Sequence, residues 1–196
     1  MIRLATFAAL CAPVLLVACG AAEPRWASDE VVAKARYEHP GPTTLTLITA
    51  RGTRDGSGAH SGLLINASQR AVFDPAGNFF HETFAERNDV IYGMTPGMLD
   101  IYIDFYTRED LEVISQTVVV PPEIAEMALQ VAANHGAVPK AHCTQSISTI
   151  LRQLPGFEGM PQTYFPMRLH RAFAEMPGVN SRLYEADLPG GIESAR

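Results

Sequence analysis

Residues 60–74 hold two apolar runs, His60-Ser-Gly-Leu-Leu-Ile65 and Ala71-Val-Phe-Asp74, separated by the polar residues 66–70. A turn that short between strand-like runs returns the second beside the first, antiparallel, and Pro75-Ala-Gly77 ends the hairpin. Two more segments read as strands. Residues 43–50 (TTLTLITA) alternate and are β-branched, and residues 111–120 (LEVISQTVVV) alternate early and then turn continuously apolar, as a largely buried strand does.

Helical signals lie between and after these strands. Ser28 caps a short helix that stops at His39-Pro-Gly-Pro42. Thr95-Pro96 opens a second, with Met98, Leu99, Ile101, Tyr102 and Phe105 at helical spacing on one face. Pro121-Pro122 begins a third that Gly136 closes, residues 144–154 read as a fourth stopped by Pro155-Gly156, and residues 166–175 as a fifth. Residues 51–59 are a glycine-rich connection without the ending of a phosphate loop or the spacing of a dinucleotide fingerprint, so a mobile connection is expected. Residues 78–93 read as loop, 181–186 as a last strand and 189–196 as a disordered tail. The sum is an α+β domain over 43–188, a mostly antiparallel sheet packed against helices.

The N-terminus constrains location. One basic residue, Arg3, precedes an apolar run that is too short to span a bilayer comfortably and is broken by Pro13, so residues 1–18 read as a signal peptide. The run ends in Leu16-Val-Ala-Cys-Gly20, which resembles a bacterial lipobox. That resemblance implies cleavage before Cys19, lipid on its sulfur, and a chain held in the cell envelope at the outer membrane or the periplasmic face of the inner membrane. Ordinary secretion with cleavage after residues 20–22 is the alternative. Residues 19–42 then serve as a tether and the short first helix. A net charge of −6 argues against nucleic acid as a partner.

With Cys11 removed and Cys19 lipidated, Cys143 is the thiol left in the mature domain, in an oxidising compartment where an unpaired cysteine is either buried or used. It lies at a helix start, where unpaired backbone N–H groups and the helix dipole favour thiolate. Six histidines could serve it. His142 is adjacent and points elsewhere if Cys143 begins the helix, His39 sits in a Pro-Gly linker, and His135 and His170 lie on helix ends and faces. His60 opens a strand after the glycine-rich connection, with Gly62 on the same strand face leaving room for substrate. No pair has zinc-like spacing, so neither a metal nor another cofactor is expected.

A strand opening His60-Ser-Gly-Leu-Leu-Ile65, a return ending Val72-Phe-Asp-Pro-Ala-Gly77, and His142-Cys-Thr-Gln-Ser146 at a helix start together resemble the circularly permuted papain-like proteins of the NlpC-like superfamily. That superfamily also holds lecithin:retinol acyltransferase relatives and several bacterial lipoproteins. The order histidine strand, then cysteine helix, is that of the permuted branch, and the resemblance covers about residues 59–155. It implies a permuted papain-like fold, Cys143 as nucleophile, His60 as base and a polar third residue that orients the imidazole. Asp74 fills that third place with a longer hairpin than the motif usually has, and His81 is the reserve. Asp74 could instead cap the turn at 75–77. The implied activity is a cysteine hydrolase or acyltransferase acting on a cell-wall peptide amide or a lipid acyl group. A binding module that keeps the fold without catalysis is the alternative.

Overall fold

A computed structural model describes residues 21–108 and 110–186. The lipobox with Cys19 and the tail from residue 189 lie outside the described residues.

Seven strands form one sheet: β1 (Thr44–Gly52), β2 (Gly58–Asn66), β3 (Arg70–Phe73), β4 (Glu86–Arg87), β5 (Val90–Tyr92), β6 (Leu111–Val119) and β7 (Asn180–Tyr184). Their order is β4-β5-β3-β2-β1-β6-β7, and each neighbouring pair runs antiparallel. The five helices are α1 (Asp29–Ala35), α2 (Pro96–Tyr106), α3 (Pro122–His135), α4 (Cys143–Leu151) and α5 (Pro166–Ala174). The fold is therefore α+β with an antiparallel sheet.

Strand alternation divides the core in two. Along β1, Leu45 and Leu47 face one side and pack with Leu63, Ile65 and the apolar faces of α3, α4 and α5. Ile48 and Ala50 face the other side, where Leu64 and Val72 meet Tyr102, Ile103 and Tyr106 of α2. The helices start where their caps require. Thr95 accepts a hydrogen bond from the Met98 N–H while Pro96 takes the first position of α2.

The structure departs from the sequence expectations in four places. The stretch 78–93 contains β4 and β5, strands of two and three residues that are too short to show a period. The connection 51–59 is shorter than expected: β1 and β2 extend into its two ends, and the Gly52 N–H to Ser57 carbonyl bond closes a tight turn over what remains. The buried face of α2 is rotated from the expected one, with Ile103 and Tyr106 buried and Ile101 57% exposed. The expected tether is docked from Arg25. Trp26 bridges Arg87, Ala27 donates to the Glu86 carbonyl, and Arg25 pairs with the buried Glu86 carboxylate at 3.1 Å.

Candidate active site

β2 is the middle strand of the sheet, so His60 stands near the open end of the best-supported element. Its Nε2 lies 2.7 Å from Oδ1 of Asp74, the residue that follows β3. The ring also stacks on Tyr106, with centroids 4.7 Å apart and planes 13° from parallel, which fixes its orientation. With Nε2 committed to Asp74, Nδ1 is the nitrogen left to act on the Cys143 thiol, whose ionisation His60 favours.

Cys143 is the first residue of α4. Ala141, in the left-handed region at φ 65°, turns the chain into the helix, and no side chain caps this end. The first intrahelical bond runs from the Ser146 N–H to the His142 carbonyl, so the amides of Cys143, Thr144 and Gln145 have no helix partner. The Thr144 hydroxyl lies 3.8 Å from the sulfur, and the Ser61 N–H also favours its charged form. One residue past each of His60 and Cys143, the Ser61 and Thr144 hydroxyls meet at 3.1 Å and tie β2 to α4. The pair lines a cleft of about 240 Å3 with Ala76, Gly77, Asn78, Arg108 and Ala141.

The electrostatics follow from this packing. Burial pushes the Cys143 thiol up, but the His60 hydrogen bond and charge, with help from the Ser61 and Thr144 donors, bring it down to about 7. Burial likewise works against a charged His60, while the Asp74 carboxylate and the Cys143 sulfur outweigh it and push the imidazole up to about 10. Both shifts describe one coupled thiolate–imidazolium pair, favoured between those two values.

Asp74 is 3% exposed, and its carboxylate has three partners. Besides His60, Tyr102 donates to Oδ1 at 2.6 Å and Tyr106 donates to Oδ2 at 2.9 Å. Burial, then the Asp74 charge, holds both phenols well above their ordinary value, so they remain donors. The turn at 75–77 has other support. The Asp74 main-chain carbonyl accepts the Gly77 N–H at 3.0 Å. A different carboxylate, Asp89, takes the Ala76 and Val138 N–H groups, and burial pushes it up to about 6.

The structure thus brings together Cys143, His60 and Asp74. His81 lies apart, exposed and bonded to Thr83 at 2.7 Å. His142 turns away, its ring against Tyr164 and its Nδ1 2.9 Å from the Lys140 carbonyl. Gly62 leaves room, but for the Tyr102 hydroxyl and not for substrate: a Cβ there would collide with that oxygen. Tyr102 and Tyr106 were visible in the sequence as phenols four residues apart, yet nothing local pointed them at Asp74. Among the described residues no set of three or more His, Cys, Asp or Glu side chains is arranged to hold a metal ion. No family model, curated protein or solved structure matches the chain. Any functional reading rests on the site's own geometry and on the motif resemblance.

Proposed function

We propose that this chain is a lipid-anchored cysteine hydrolase or acyltransferase of the bacterial envelope, acting through Cys143, His60 and Asp74 on a cell-wall peptide amide or a lipid acyl ester. The observation that carries the reading is the Asp74–His60 bond beside a thiol at an uncapped helix start, with His60 and Cys143 lining one cleft. The lipid anchor rests on the Leu16–Gly20 motif.

In the reaction, the Cys143 thiolate attacks the substrate carbonyl carbon. The oxyanion that forms faces the unpaired amides of the first turn of α4. The His60 imidazolium gives its proton to the departing amine or alkoxide as that bond breaks, leaving a thioester on Cys143. Water, or an acceptor hydroxyl, then loses a proton to His60 and attacks the thioester. The released acid or new ester leaves behind the original thiolate–imidazolium pair. Asp74 holds the ring throughout and favours its charged form.

The test is alkylation of Cys143 across pH. Wild type should react with a midpoint near 7, set by the lowered thiol. In His60→Ala, only the Ser61 and Thr144 donors still oppose burial and the midpoint should rise to about the ordinary 9.0. That leaves about fiftyfold less thiolate at pH 7. His142→Ala should behave as wild type. A wild-type thiol that titrates as a free or shielded cysteine would overturn the enzyme reading in favour of a binding module. Turnover also needs the imidazolium, so activity should rise near pH 7 and fall near 10. Incubation with muropeptides and with phospholipids, read by mass spectrometry of the Cys143 acyl adduct, identifies the substrate class.

A further inference from the structure

The face of the sheet that carries α2 holds a second cavity, of about 290 Å3, which shares no lining residue with the Cys143 cleft. Its aliphatic side chains are Ile48 and Leu64 from the strands and Leu99 and Ile103 from α2, with Pro40 and Pro42 beside them. Of the polar residues that line it, two buried ones, Arg70 and Asn66, each keep an atom without the partner that burial demands.

Arg70, on β3, is 9% exposed, and its Nε has no hydrogen-bond partner. One terminal nitrogen lies 3.3 Å from Nδ1 of His39, a neutral acceptor that Tyr37 also uses at 3.1 Å. Among the described residues no carboxylate forms an ion pair with Arg70; Asp100 acts on it only at longer range. A buried guanidinium without an anion is costly, and one that lines an open cavity is placed to take the anion from outside. Asn66, 4% exposed, is the second. Its Nδ2 donates to the Pro42 carbonyl at 2.8 Å, which fixes Oδ1 as the unpaired atom, a buried acceptor with no donor.

These residues state what a ligand must carry. Arg70 needs an anion, with a planar carboxylate matching its fork. Asn66 Oδ1 needs an N–H or O–H. That donor should be neutral, since an ammonium would share a small cavity with the Arg70 cation. The four aliphatic side chains need an alkyl group. A volume near the lower end of small-molecule sites suits a ligand of about ten heavy atoms.

We propose that this cavity binds a small aliphatic carboxylate bearing a neutral hydrogen-bond donor beside the acid group. The carboxylate sits on Arg70, the donor on Asn66 Oδ1, and the alkyl group against Ile48, Leu64, Leu99 and Ile103. The site stands whether or not Cys143 is a nucleophile.

Calorimetric titration of the full chain tests it, with 2-hydroxy-4-methylpentanoate as the probe and Cys143→Ala alongside wild type. Both proteins should bind the probe equally, with affinity in the millimolar range or tighter. The analogue 4-methylpentanoate, which lacks the hydroxyl, should bind about fivefold more weakly. The diol 4-methylpentane-1,2-diol, which lacks the carboxylate, should not bind, nor should the probe bind Arg70→Met. Leu99→Trp, which fills the alkyl wall from the helix and spares Arg70, should also abolish binding and keeps the proposal testable if Arg70→Met does not fold. No heat with the hydroxy acid on folded wild type, binding of the diol as tight as the acid, or full binding in folded Arg70→Met or Leu99→Trp would overturn it.

Discussion

Asp74 carries a buried charge that three donors share, and each donor answers a different demand. His60 uses Nε2 to reach it, which leaves Nδ1 for the sulfur, while the two phenols occupy the lone pairs that His60 does not. Asp74→Ala should therefore act at a distance. Without the carboxylate, burial pulls His60 down, the thiolate loses its partner, and Cys143 alkylation at pH 7 should slow by tenfold or more. The pH profile separates this from simple instability, because a purely structural Asp74 would lower Tm and leave the thiol midpoint near 7. Gly62→Ala tests the same point from the other side. Its Cβ would displace the Tyr102 hydroxyl, so it should destabilise at least as much as losing that hydrogen bond. Neither effect was legible in the sequence, where Gly62 reads as space for substrate and Asp74 has a turn cap as its alternative role.

The helix α2 is a structural support for the site, although it contributes no group to the proposed chemistry. Its buried stripe places Tyr102 and Tyr106 one turn apart, where two side chains can reach one carboxylate. A hydrogen bond to a buried charge is worth about 1.5–3 kcal/mol. Tyr102→Phe should lower stability by that amount in denaturant titration, with a smaller change for Tyr106→Phe if its contact with the His60 ring persists. The cap and the helix itself are legible from Thr95-Pro96 and the apolar spacing. The rotation of the stripe is not, because Ile101 and Ile103 are equally apolar, and the one that is buried depends on which strand residues lie opposite. The short strands β4 and β5 are illegible for a related reason: they exist only because β3 offers an edge to pair with.

At the scale of the molecule, the site lies where the open end of β2, the turn after β3 and the start of α4 converge. Asp89 links two of these, holding the turn through Ala76 and the chain before α4 through Val138. Among the described residues no helix is long and apolar enough to cross a membrane. The attachment proposed on the Leu16–Gly20 motif is the lipid on Cys19. Each buried methylene of a lipid chain contributes about 0.8 kcal/mol, and two or more chains hold a protein stably where one does not. The wild type should fractionate with membranes, and Cys19→Ser should remain unprocessed or leave them. Intact-mass measurement of an unmodified N-terminus at Glu23 would refute the anchor.

Local chemistry in the sequence determined the longer strand and helix segments, the hairpin of residues 60–74 and the helix start at Cys143, because periodicity, turn residues and prolines act within a few residues. It also singled out Cys143 and His60, since few residue types can do nucleophilic and acid–base work, while Asp74 came from the motif resemblance with His81 in reserve. Tertiary structure alone decided that Asp74 faces His60, that His81 does not, and that two tyrosines hold the carboxylate. It alone left Arg70 buried with no carboxylate paired to it among the described residues. The contacts to Asp74 depend on side chains 14 to 32 residues apart meeting in the fold, and no pattern within a single segment encodes which partner it will meet.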